Sequence, residues 1–137
     1  MSYQVETIDA IGDDSLQRLV EAGVRTTGEL LIRCGTGEAR SALAERVQVP
    51  AQTLLEWAHM ADLMRIPGVG RQYAELLDAC GVGTVIALRT ADAGKLEGRM
   101  REVNAERQLA KTTPSSFMLA RWIDQARNLP PRILAEL

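Results

Sequence analysis

Apolar residues recur along this chain at spacings of three and four, and short clusters of glycine, threonine and proline interrupt them. Ala39, Ala42, Leu43 and Val47 form one such stripe, and Leu54, Ala58, Ala61 and Leu63 form another. Leu96, Met100 and Val103 mark a third, and Met118, Trp122, Ala126 and Leu129 a fourth. That period is the period of a helix with one buried face. The punctuation supplies the remaining elements. A helix is expected from about Asp13 to Ala22, closed by Gly23, and another from Arg71 to Cys80, closed by Gly81. Thr26 or Thr27 caps a short helix to about Arg33, which Gly35-Thr36-Gly37 breaks, and Thr84 starts a short helix to about Arg89. Pro50 stands near the start of the helix that carries Leu54, and Thr113-Pro114-Ser115 begins the last long one. Pro130-Pro131 stops it and leaves the final six residues as a loose tail. Thr84-Val85-Ile86 is β-branched, but it follows a glycine where the earlier Thr26-Thr27-Gly28 starts a helix. The pattern therefore predicts an all-α fold.

The chain also matches itself. With a shift of 58 residues, Ile8 falls on Ile66, Gly12 on Gly70, Leu19 on Leu77, Gly23-Val24 on Gly81-Val82, Thr26 on Thr84 and Leu30 on Leu88. A looser echo pairs Pro50 with Pro114 and Trp57 with Trp122. Such self-similarity marks a duplicated supersecondary unit. Two copies are too few for a solenoid, so a compact pair is expected: residues 1–64 as the first repeat and 65–137 as the second.

One stretch carries the sharpest signal, Leu63-Met64-Arg65-Ile66-Pro67-Gly68-Val69-Gly70-Arg71-Gln72-Tyr73-Ala74-Glu75-Leu76-Leu77. Leu63 and Ile66 read as one face of an incoming helix that Pro67 ends. Gly68 and Gly70 allow a tight turn, Val69 plugs the space between two helices, Ala74 lets them approach, and Leu77 closes the seam. This arrangement resembles the helix-hairpin-helix motif. In that family the turn presents successive backbone N–H groups at a helix N-terminus, where they hold a phosphate. The elements Gly23-Val24-Arg25-Thr26 and Gly81-Val82-Gly83-Thr84, each followed by a leucine, belong to the same resemblance, with the threonine as N-cap. Over residues 5–129 the chain resembles a family of small bacterial proteins with tandem helix-hairpin-helix-like repeats, which implies a fold and assigns no activity.

The two copies differ where chemistry would occur. The first has Ala10 in place of Gly68 and Asp13-Asp14 in place of Arg71-Gln72, with Glu6 and Asp9 nearby. Acids at a helix start suit its dipole but repel a phosphate. Formal charge divides the same way. Residues 1–58 hold five Lys/Arg against nine Asp/Glu, net -4, and residues 59–137 hold eleven against nine, net +2. The first copy is expected to be structural and the second to meet any nucleic acid, through Gly68, Val69, Gly70, Arg71 and Arg65. Lys95, Arg99, Arg101, Arg107 and Lys111 would add a diffuse positive field.

Composition narrows the field further. A chain of 137 residues, 46% hydrophobic and 25% charged, is an ordinary globular protein with a real core. Its net charge of -2 argues against a strongly basic coat for DNA. Cys34 and Cys80 stand apart with no CxxC pair, so they read as reduced core residues and no metal site is implied. Met1-Ser2-Tyr3-Gln4 lacks a basic, then apolar leader, and no apolar run reaches transmembrane length. A cytoplasmic protein without membrane contact is expected.

No catalytic constellation emerges. His59 is the one histidine, and Glu56 and Asp62 are only its helix-face neighbours. Ser15, Ser41, Ser115 and Ser116 lack nucleophile-elbow glycines, and Gly35-Thr36-Gly37 is too short for a phosphate loop. A non-enzyme without cofactors is expected. Two partner classes stay open. One is the phosphate backbone of nucleic acid at the second hairpin. The other is a protein, including a second copy of the chain, with Trp57 and Trp122 as the residues of interest.

Overall fold

A computed structural model describes residues 2–133. Among them the fold is all-α, with eight α-helices and a short 3-10 turn at Val5–Thr7. The β pairing among these residues is one isolated antiparallel bridge, Gln4 to Thr26. The chain divides into two compact units. The first runs to Asp62 and takes back the chain from Pro131; the second is Leu63–Pro130. Residues 134–137, part of the expected tail, lie outside the described residues.

In the first unit α1 (Asp13–Glu21), α2 (Thr27–Cys34) and α3 (Gly37–Val47) precede α4 (Ala51–Leu63), and α3 packs against α1 and α2. The second holds α5 (Arg71–Ala79), α6 (Val85–Arg89), α7 (Ala93–Arg107) and α8 (Ser116–Asn128). There α8 packs on α6 and α7, and α5 packs on α7. Polar caps explain where the helices start. Thr26 accepts from Glu29 N at 3.1 Å while the Glu29 carboxylate accepts from Thr26 N at 3.1 Å, a reciprocal capping box. Thr36, Thr84, Asp92 and Ser115 cap α3, α6, α7 and α8 in the simpler one-way form.

The backbone hydrogen bonds recur with the sequence shift of 58. Ile11 N donates to Ile8 O at 3.1 Å, and Val69 N to Ile66 O at 2.9 Å. Leu16 N donates to Gly12 O and Ala74 N to Gly70 O, both at 2.9 Å. Helices α1 and α5 end alike, in Gly23 at φ 90° and Gly81 at φ 84°. Val24 N then reaches back to Leu19 O at 2.8 Å, and Val82 N to Leu77 O at 2.9 Å. This is the Schellman closure, and it needs the left-handed residue that glycine supplies without strain. Ile8 and Ile66, Leu19 and Leu77, and Leu30 and Leu88 are all buried at these equivalent places.

Four local expectations are corrected. Helix α4 stops at Leu63, so Pro67 does not end it. Ile66 lies in the following turn, bonded through its N–H to Leu63 O at 3.1 Å, because a residue before proline is pushed out of the helical region. On α3, Ala42 is exposed while Arg40 is buried, its guanidinium donating to Cys34 O at 2.9 Å. The buried face of α8 is Leu119, Trp122, Ile123 and Ala126, which leaves Met118 at its rim. Finally, the start of the tail, though exposed, runs close against Gly35. The Arg132 carbonyl lies 2.9 Å from where a Cβ on Gly35 would stand, so only glycine fits there without a shift.

Candidate nucleic-acid interface

The approach to α5 is built by its turn. Pro67 and Gly68 occupy the two central positions between Ile66 and Val69, Gly68 has φ 93°, and the Val69 N–H closes the turn on Ile66 O. Proline followed by a positive-φ glycine is the signature of a type II turn. Ala10, at the same place in the first unit, is not left-handed, so the corresponding bond there closes a different turn. Val69 is fully buried, as a plug between helices should be, so it offers a ligand backbone alone.

Gly70 is the N-cap of α5 and is extended, with φ -93° and ψ -167°. It has no side chain to cap the helix, and a Cβ there would meet nothing within 4 Å. The first helical bond is Ala74 N to Gly70 O, so the amides of residues 71–73 precede the ladder and point outward along the axis. No acid stands in the first turn of α5, whereas Asp13 and Asp14 occupy the first turn of α1. The half-buried Arg71 opens α5 and forms a loose ion pair with Glu75 at 3.9 Å.

A shallow groove of about 330 Å³ lies over this terminus. Gly68, Gly70, Arg71 and Tyr73 line one side, and Lys111 and Thr112 come from the connection between α7 and α8. Tyr73 fixes that geometry from both ends. Its hydroxyl shares a 3.2 Å hydrogen bond with Thr112 Oγ1, and its ring packs on Trp122 at 5.2 Å and 54°. The sequence named Lys111 only as part of a diffuse field. Its place at the groove depends on a long connection folding back, which helix periodicity does not report.

The other basic residues are placed differently. Arg65 donates to Pro130 O at 3.2 Å, beyond the end of α8, and does not line the groove. Arg99 donates to Cys80 O at 3.3 Å, at the end of α5, and Arg101 pairs with Glu97 at 3.5 Å. Trp57 and Trp122 are buried, so neither offers a free indole face to a partner. Cys34 and Cys80 are free and buried. Burial pushes the Cys34 thiol up to about 11, partly offset by Arg40 and Arg33, and pushes Cys80 up against the pull of Arg99. His59 is half-buried on α4. Among the described residues no group of three or more His, Cys, Asp or Glu is placed to hold a metal ion. No helix there is long and apolar enough to cross a membrane.

Residues 9–129 match a family described as a domain of unknown function, DUF4332. The chain belongs to this family. The DUF4332 region takes in α1 through α8 and every residue that lines the groove. No curated protein and no solved structure matches the chain significantly.

Proposed function

We propose that this protein is a non-catalytic module of two tandem helix-hairpin-helix-like repeats that holds nucleic acid by its phosphate backbone at the groove over α5. One contrast carries the reading. Two helix termini each follow an uncapped glycine, Gly12 and Gly70, yet α1 begins with Asp13 and Asp14 while α5 begins with Arg71 and has no acid in its first turn. A helix N-terminus offers unsatisfied N–H groups and a positive dipole end, and acids cancel that field while cations extend it. Lys111, from a separate element, faces the same groove. Contacts of this kind read the backbone and not the bases, so binding would be independent of sequence. The buried thiols Cys34 and Cys80 suit a reducing cytoplasm, where such a module would work.

Binding would be weak, with one competent terminus and a net charge of -2. Two to four phosphate contacts give a slope of about -1.5 to -3.5 for log affinity against log salt, and a dissociation constant of about 10–100 µM. The test is a low-salt titration of DNA with the wild type, Arg71→Glu and Asp13→Lys. Arg71→Glu should weaken binding and Asp13→Lys should leave it nearly unchanged. Equal binding by all three, or none at all, overturns the reading. A protein-interaction module would then be favoured, because Phe117 at 72% exposure, Ile32 at 79% and Ile86 at 62% stand on the surface.

A further inference from the structure

The two units match closely until the helices before α4 and α8. Both of those helices, α3 and α7, end in a glutamine with left-handed backbone, Gln48 at φ 56° and Gln108 at φ 50°. After Gln48 the chain enters α4 within residues 48–50; after Gln108 it takes residues 108–115 to reach α8. The second connection is longer by five residues, and it forms one wall of the groove over α5. It is held in place. Asn104 grips Ala110 twice, Nδ2 donating to its carbonyl and Oδ1 accepting from its N–H, each at 2.9 Å. Thr112 is bonded to Tyr73, and Pro114 is buried.

This wall makes a second hollow, of about 450 Å³, beside the first. The two hollows share Gln72 and Lys111, so they are lobes of one trough. Their chemistry differs. The first lobe carries Arg71 and the open glycine backbone; the second carries Gln72, Gln108, Leu109 and Ala110 and no charge besides the shared Lys111. Among the described residues the side-chain amides of Gln72 and Gln108 make no hydrogen bond. Each lobe is at the small end of ligand-site volumes.

We infer that the second lobe takes the unstacked base adjoining a phosphate held in the first, so that the groove binds single-stranded nucleic acid in preference to duplex. This rests on the phosphate reading above and goes beyond it. An amide carries both a donor and an acceptor, which suits the edge of any base that is free of its pairing partner. Leu109 and Ala110 supply apolar surface for the rest of the ring. In a duplex the base edges are paired and stacked, so only the phosphate lobe is served. Because the connection is pinned by Asn104 and Tyr73, little ordering is lost on binding. The amides meet a base edge alike in DNA and RNA, so both strands are admitted.

Anisotropy titrations would use one labelled dodecamer as single-stranded DNA, as single-stranded RNA, as duplex DNA and as an abasic strand. Proteins would be the wild type, Arg71→Glu and Gln108→Gly, whose glycine keeps the left-handed turn. The wild type should bind both single strands about fivefold tighter than duplex or abasic strand, the ratio expected for one or two net hydrogen bonds. Gln108→Gly, which touches the second lobe alone, should lose most of that ratio, keep its duplex affinity and keep its melting temperature. Equal wild-type affinity for all four probes, with Arg71→Glu weakening each, would overturn the base lobe and leave the phosphate reading standing. Absence of binding to every probe would overturn both.

Discussion

The indole Nε1 of Trp122 lies 3.1 Å from the position a Cβ on Gly68 would occupy. The turn that presents the groove is therefore wedged under the buried tryptophan of α8, whose ring also packs at a tilt on Tyr73. Fold and candidate site share these contacts.

Two glycine substitutions should consequently separate. Gly68→Ala must put a side chain at φ 93° and against the indole, and should cost about 1–3 kcal/mol. Gly70→Ala has ordinary extended backbone and open space, so it should cost under about 1 kcal/mol while adding a methyl at the N-cap of α5. Urea denaturation followed by tryptophan fluorescence measures both costs. A Gly68→Ala protein as stable as the wild type would contradict the wedge. Gly70→Ala is then the variant for testing binding without unfolding.

Arginines at the end of α8 give a second contrast. Arg89 donates to Ala126 O at 2.9 Å and to Leu129 O at 2.7 Å, using a half-buried guanidinium to satisfy carbonyls at a helix C-terminus. Arg89→Leu should cost about 2 kcal/mol. The Arg65 bond to Pro130 O, at 3.2 Å, is exposed to solvent, so losing it in Arg65→Ala should cost less than about 1 kcal/mol. It should also lower nucleic-acid affinity less than Arg71→Ala, because Arg65 does not line the groove. A larger loss of affinity for Arg65→Ala would mean that the groove is not the site.

The buried thiol of Cys34 predicts an alkaline weakness. Its folded value of about 11 exceeds the ordinary 9.0, so the folded state keeps the proton longer than the unfolded chain. The stabilisation is complete below pH 9 and is lost as pH rises through 9 toward about 11. Wild-type stability should fall faster over that window than that of Cys34→Ala, and Cys80, whose thiol is also raised, should resist modification in the native protein at neutral pH. Parallel stability curves for the wild type and Cys34→Ala would refute this.

Much of the fold is legible because its punctuation is local. A glycine after Ala22 or Cys80 and a threonine at 26 or 84 act within a few residues, so the boundaries of α1, α5 and the capped short helices follow from the sequence. Rotation about a helix axis is less legible. Met118 and Leu119 are both apolar, and packing against α6 and α7 decides that Leu119 is the buried one. Arg40 misleads for a related reason, since only tertiary structure shows the Cys34 carbonyl waiting for its charge. At the site, Gly68, Gly70 and Arg71 lie within one turn and stand out as a motif. Lys111 reaches them through Asn104, Tyr73 and a connection without periodicity, and no spacing rule connects residues so far apart in sequence.

The central claim is that the groove over α5 binds a phosphate backbone and its counterpart at α1 does not. Backbone amide NMR shifts during titration with a single-stranded dodecamer at low salt test this most directly. Residues 68–73 and 109–112 should shift together and saturate with one dissociation constant, while residues 10–15 stay in place. Shifts centred on residues 10–15, or on the exposed Phe117 with none at Gly70 and Arg71, would contradict the account.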